Sequence, residues 1–246
     1  ISVKNPVYMN DIESCYKREM DAKVEKVIDR DGEVFITLDK TIFYPVGGGQ
    51  PSDTGMISWK DGRSKVLEAK KEKEIIHRLE GDIPDEGEEV HLELDWDRRY
   101  AHMRMHTAQH LISAVVWEKF QATTVGNQIH ADRSHIDFQP ADFKMEDLKE
   151  IQEEMNRLIE EGVDVKVSFQ PRDNLEKEID GERVDLSRLP KSVKELRVIE
   201  IENGEQVDIC PCAGTHVGNL KEIGRVNIVK RKSKGKGKVR VTYKLD

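Results

Sequence analysis

No apolar run in the 246 residues approaches the roughly eighteen that a membrane-spanning helix needs, so no span is expected. No charged-then-apolar segment opens the sequence either, which gives no sign of secretory targeting. Cysteine is scarce: Cys15, Cys210 and Cys212 are too few for a disulfide framework. Two of the three lie close to His216, which points to metal chemistry in a reducing cytoplasm. A basic excess is also missing, since the net charge is -8. That balance excludes a protein that coats itself with nucleic acid indiscriminately, but not one with a local basic face. Internal repeats are absent, and no Ser-His-Asp or Cys-His nucleophile arrangement is readable.

Hydrophobic residues make up 37% of the chain and charged residues 36%, the balance of a polar globular protein. The length suits one large domain or two modest ones. The first residue is Ile, which leaves open a trimmed chain or a piece of a longer one. Residues 1–95 read as a small β-barrel or sandwich, with strand-like runs at Ala22–Asp29, Glu33–Leu38 and Val90–Leu94 between turn signals such as Asp31-Gly32. Tyr44-Pro-Val-Gly-Gly-Gly-Gln-Pro-Ser-Asp-Thr-Gly55 packs four glycines and two prolines into twelve residues, so it is a loop of special backbone geometry.

The period changes at Asp97, a candidate helix cap or first-turn acid, and stays helical to Phe120, with Met103, Leu111, Ala114 and Val115 recurring. Strand-like segments follow at Thr123–Ile129 and His135–Phe138. An amphipathic helix is expected over Asp142–Glu161, stopped by Gly162. Strands at Val163–Phe169 and Leu196–Ile201, and a hairpin of Arg225–Val229 with Lys238–Tyr243, complete the pattern. The expected architecture is therefore α+β. A barrel-like domain occupies 1–95, and a two-layer α/β domain with a mostly antiparallel sheet occupies 96–246.

His106 and His110 stand four residues apart, on one face of the expected helix, and can aim two imidazoles at one ion. Cys212-Ala-Gly-Thr-His216 supplies a thiolate and a third imidazole about a hundred residues later, and three nitrogens with one sulfur suit tetrahedral zinc at about 2.0–2.3 Å. Cys210 is a rival for Cys212; the latter is favoured because it keeps His216 within one turn. Thr107 occupies the position where the His-Glu-x-x-His metallopeptidases carry their catalytic Glu, so the peptidase reading lacks its base. A closed four-residue shell favours a structural or positioning metal over a Lewis acid with an open position.

Taken in order, Phe43-Tyr-Pro-Val-Gly-Gly-Gly-Gln-Pro-Ser-Asp-Thr-Gly55, the His106/His110 helix and Cys212-Ala-Gly-Thr-His216-Val217 resemble the AlaX proteins of medium or long type and the editing domain of alanyl-tRNA synthetases. The resemblance covers essentially the whole chain; Ala213, where Gly is more usual, and Cys210 depart from the pattern. It implies a cytoplasmic, Zn2+-containing deacylase that hydrolyses tRNA(Ala) mischarged with serine, with glycine as a second candidate, and spares Ala-tRNA(Ala). A synthetic site fitted to alanine rejects neither glycine nor a near-isostere with one extra hydroxyl strongly, so a second site must remove the errors.

By the same resemblance, Thr123 or Thr124 reads the seryl hydroxyl, with Gln128 as a weaker candidate for the substrate or a bridging water. The reaction expected is attack of a water positioned near the metal on the aminoacyl ester, with no protein nucleophile assigned. Gly47, Gly48 and Gly49 offer backbone N–H groups to the tRNA, or else form a tight packed loop. Lys232, Lys234, Lys236 and Lys238, within the basic stretch Lys230–Arg240, form the candidate phosphate-contacting surface. The competing readings are an editing fragment of a full-length alanyl-tRNA synthetase, a non-catalytic tRNA-binding module with structural zinc, and a generic zinc hydrolase. No class II aminoacylation signature is visible to favour the first of these.

Overall fold

The computed structural model describes residues 6–246, apart from positions 180, 182, 185, 190 and 205 and the side chains of Arg188 and Gln206. The chain divides into two compact units, Ile1–Ala101 and His102–Asp246.

In the first unit, β1 (Glu19–Arg30), β2 (Glu33–Leu38), β3 (Gly55–Trp59), β4 (Gly62–Lys71), β5 (Ile75–Gly81) and β6 (Glu89–Leu94) close into an antiparallel barrel in the order β1-β2-β5-β4-β3-β6. Alternation sets which side chains turn inward: Met20, Ala22 and Val24 are buried while Glu19, Asp21 and Lys23 are exposed. Ile36, Ile57, Val66 and Leu92 join them in one core. Asp31 and Gly32 both take positive φ, the geometry of a two-residue hairpin whose twist matches its strands. The barrel thus resolves the choice between barrel and sandwich, and β3 to β5 are strands that no clear alternation announces in the sequence.

The glycine-rich loop is pinned from within this unit. Asp53 accepts hydrogen bonds from the Tyr44 N–H (2.7 Å) and the Arg99 Nε (2.9 Å), and Asp53 and Arg99 are both fully buried. Arg99 also donates to the carbonyls of Cys15 and Ile42. Breaking such a buried ion pair by removing one partner typically costs about 3–5 kcal/mol.

The second unit contains most of α1 (Trp96–Phe120). The helix starts on Asp95, whose carboxylate accepts the Arg98 N–H, so Asp97 is a first-turn acid and Asp95 serves as the cap. From His102 to Val116 nearly every side chain is buried, polar ones included. Two antiparallel sheets accompany it. One has the order β11-β10-β9 and is built from β9 (Asp164–Pro171), β10 (Glu195–Glu202) and β11 (Gln206–Pro211). The other has the order β12-β13-β8-β7 and is built from β7 (Thr123–Gln128), β8 (Ser134–Gln139), β12 (Val226–Ser233) and β13 (Val239–Leu245).

Helix α2 (Met145–Glu161) buries Leu148, Ile151, Met155, Leu158 and Ile159 on one face and ends on Gly162 at φ 75°. It begins three residues later than its periodicity implies, because the Asp147 carboxylate caps the Lys144 N–H at 2.6 Å and holds Lys144 extended. Helix α3 (Arg172–Glu178) places Leu175 against Leu196, Val198 and Ile209, which sit on one face of the three-stranded sheet. No helix among the described residues is long and apolar enough to cross a membrane.

Candidate metal centre

His106 and His110 lie on adjacent turns of α1 with ring centroids 5.4 Å apart, and the segment after β11 brings Cys212 and His216 to the same place. The four ligand atoms lie within 4.8 Å of one another. Cys212 Sγ is 3.6 Å from His106 Nε2 and 3.4 Å from His216 Nε2. A tetrahedron with zinc's bond lengths to nitrogen and sulfur has edges of about 3.3–3.6 Å, which the two Cys212 contacts match, and the donor set fits that ion in chemistry.

The histidines are oriented from behind. His110 Nδ1 donates to Asp208 Oδ2 at 2.9 Å, which leaves Nε2 to face the cluster. The Thr107 hydroxyl donates to the Met103 carbonyl (2.9 Å) and accepts from the Val217 N–H (3.1 Å), so it also accepts from His216 Nδ1 at 3.2 Å. Both rings thus turn Nε2 toward the cluster, the arrangement by which outer groups orient metal-binding histidines. Arg183 pairs with the other oxygen of Asp208. The Cys212 loop is held by Arg197, whose guanidinium donates to the Cys212 carbonyl at 2.5 Å and whose carbonyl accepts the Cys212 N–H.

Charge separates the two rival cysteines. Burial, reinforced by the charges of Asp208 and Cys212, pushes the Cys210 thiol well above its ordinary value. Burial acts on Cys212 in the same direction, but charge on His106 and His216 and hydrogen bonds from His106 and His110 outweigh it and bring the thiol well below. The thiolate form is therefore favoured at Cys212 and disfavoured at Cys210, and a thiolate is what a metal binds. Burial, with the charge of His106 acting the same way, pushes His216 below its ordinary value. For His110 burial also favours the neutral ring, yet hydrogen bonds to Asp208 and Cys212 prevail and lift it to about 10.

The remaining predicted residues fall in different places. Thr124 pairs with Phe138 on the buried, helix-facing side of its sheet, and its hydroxyl meets Ser113 of α1 at 2.7 Å. Ser113 accepts from Gln109 at 3.0 Å, which extends a polar chain beside His106 and His110. Thr123 and Gln128 pair with Gln139 and His135 on the opposite face; Thr123 donates to the Gln139 carbonyl at 2.7 Å, and Gln128 is exposed. Lys232, Lys234 and Lys236 are exposed and Lys238 half-buried on the β12–β13 hairpin. Within the barrel unit, Gly48 and Gly49 take positive φ, and the Gly47 N–H is already bonded to the Gln50 carbonyl.

Asp208, Thr107 and Arg183 carry functions that no motif announces. Asp208 is a lone acid in a six-residue strand, and the only hint in the sequence is that it alternates with Cys210 and Cys212 along one face.

Residues 196–242, which include Cys212 and His216, match the model described as the threonyl and alanyl tRNA synthetase second additional domain. Residues 7–98 match the model for class II (A) tRNA synthetases, although no aminoacylation signature is legible there. Across nearly its full length the chain is 38% identical to an alanyl-tRNA editing protein AlaX-M of Methanosarcina barkeri, covering 94% of this chain and 96% of that one. The chain belongs to the AlaX family. An AlaX-L protein of Pyrococcus horikoshii is 37% identical over 93% of this chain and 55% of its own. The alanine–tRNA ligase of Methanopyrus kandleri is 32% identical over 92% of this chain but only 24% of the ligase. The chain thus aligns with about a quarter of the length of that ligase.

Proposed function

We propose that this AlaX-family chain is a trans-acting aminoacyl-tRNA deacylase that hydrolyses tRNA(Ala) mischarged with serine, and secondarily with glycine, while sparing Ala-tRNA(Ala). The observation that carries the reading is the 38% identity to an AlaX-M editing protein across almost the whole of both chains. The gathered cluster of three imidazoles and one thiolate gives it a chemical centre.

His106, His110, Cys212 and His216 would hold Zn2+, which when bound would supply a fixed positive charge beside the aminoacyl ester. Asp208 and Thr107 keep the Nε2 atoms of His110 and His216 turned inward. No protein nucleophile is assigned: the ester is cleaved by water, and the protein's part is positioning and exclusion of the wrong substrate. Thr124 is the better candidate for reading the seryl hydroxyl, because it alone of the two threonines faces the metal-bearing helix. Gln128, on the far face, is left to a contact outside the pocket.

The division of labour we propose assigns hydrolysis to residues 96–246 and tRNA contacts to the barrel domain, 1–95, through Gly48 and Gly49 of its loop. The Lys232–Lys238 hairpin adds phosphate contacts on a chain of net charge -8. The setting is the cytoplasm, where charged tRNA is found. Incubation with Ser-, Gly- and Ala-tRNA(Ala) tests the whole reading: the seryl ester is lost and the alanyl ester kept. A zinc-loaded protein that turns over none of the three overturns it.

A further inference from the structure

The three-stranded sheet has two unlike faces. On one, Leu196, Val198 and Ile209 pack on Leu175, Ile179 and Leu186. On the other, Asp208 reaches His110, and Cys210 and Cys212 follow it at intervals of two, so this face looks toward the metal cluster. The register extends that face across the neighbouring strands. Ile201, Ile199 and Arg197 of β10 lie on it, and beyond them Val165, Val167 and Phe169 of β9.

Cover along β9 thins in one direction. Val165 is buried, Val167 is half-buried, and Phe169 is 46% exposed. A lone exposed apolar side chain needs no explanation in itself. This one stands in a particular row: Phe169 pairs with Arg197, and Arg197 exchanges hydrogen bonds with Cys212. Two strand spacings place the Phe169 backbone roughly 10 Å from that of Cys212, on the same face. A ribose carrying its base covers that span, and among the described residues no other ring stacks on Phe169.

We propose that Phe169 is the stacking platform for the 3′-terminal adenine of the aminoacylated tRNA, holding the base while the ester reaches the cluster. The proposal rests on the deacylase reading and adds a contact to it. Base stacking on an aromatic ring is indifferent to the attached amino acid, so Phe169 contributes affinity for the nucleic-acid end and leaves the choice between serine and alanine to the pocket. Its loss is worth about tenfold in binding.

Two probes isolate the base: 3′-deoxy-3′-(L-seryl)aminoadenosine, whose amide resists hydrolysis, and the same compound with hydrogen in place of adenine. Calorimetric titration of the zinc-loaded protein is expected to show about a tenfold preference for the adenine-bearing probe. Phe169→Ala abolishes the preference and Phe169→Trp keeps it, while affinity for the abasic probe is unchanged in both. On seryl-tRNA, Phe169→Ala raises KM about tenfold and leaves kcat alone. Wild-type protein indifferent to the base, or a Phe169→Ala variant that retains the full preference, overturns the proposal. If seryl-tRNA is still hydrolysed in that case, the deacylase reading survives without Phe169. If no aminoacyl-tRNA is hydrolysed at all, that reading itself has failed.

Discussion

Asp208 Oδ2 lies 2.9 Å from Nδ1 of His110, and that contact decides which nitrogen the imidazole turns toward Cys212. Replacing Asp208 with Asn keeps the shape but lets the amide present either end to the ring. Zinc affinity, measured by competition with a chromogenic chelator, is expected to fall about 10–100-fold. Unchanged affinity would show that packing of α1 alone sets the ring.

Thr107 makes a similar prediction on the other side of the cluster. Thr107→Val preserves volume but leaves the His216 Nδ1–H and the Val217 N–H without their acceptor in a buried setting. Destabilisation of about 1–3 kcal/mol is expected in denaturant unfolding of the second unit, with weaker zinc binding. Thr107→Ser restores the hydroxyl and should behave like wild type. If serine fails to rescue, the methyl group matters rather than the hydrogen bonds.

These two residues mark the limit of what the sequence shows. His106 and His110 are legible because helical spacing alone places them on one face, and Cys212 and His216 because they sit within a short segment. Asp208 has no such neighbour pattern, and Thr107 reads as an absent Glu until its hydroxyl is seen serving His216. The barrel's first two strands and its last are visible as alternating runs. In β3 to β5, buried residues such as Ser64 and His77 break the apolar rhythm, and their roles depend on partners far along the chain. Exposure is the least readable property: in Val163–Phe169 the alternation is plain, but nothing says that cover ends before Phe169.

The two threonines after α1 separate cleanly in a kinetic test. Thr124→Val removes the hydroxyl that meets Ser113 on the metal-helix side, and kcat/KM for seryl-tRNA should drop roughly tenfold while any residual alanyl hydrolysis is unaffected. Thr123→Val loses only a bond to the Gln139 carbonyl on the far face, and seryl hydrolysis should stay near wild type. The reverse ranking would assign the recognition to Thr123.

The lysine hairpin predicts a salt effect rather than a loss of specificity. Lys232 and Lys236 are exposed on β12 and its turn, and in the proposed interface each is expected to contact phosphate rather than a base. Substituting either by Ala should reduce the slope of log affinity against log salt by about one, for cognate and non-cognate tRNA alike. Fluorescence anisotropy at several ionic strengths measures it, and a double variant with the wild-type slope excludes the hairpin from the interface.

Acid sensitivity of the barrel unit is expected to centre on His77. Its Nδ1 donates to the Ile36 carbonyl at 3.2 Å and its Nε2 accepts from the Thr41 hydroxyl at 2.8 Å, which in turn accepts the Phe43 N–H. That network suits only the neutral ring, and burial lowers its pKa from 6.5 to about 4. Because the folded value lies below the unfolded one, the unfolded chain binds more protons between these limits, and stability rises with pH across them. The contribution is complete above about pH 6.5 and is lost as the pH falls toward 4, by about 3 kcal/mol in all. Denaturant unfolding followed through Trp59, with a parallel NMR titration of the His77 ring, checks both halves. A ring that titrates near 6.5 in the folded protein would remove His77 as the source of the acid sensitivity.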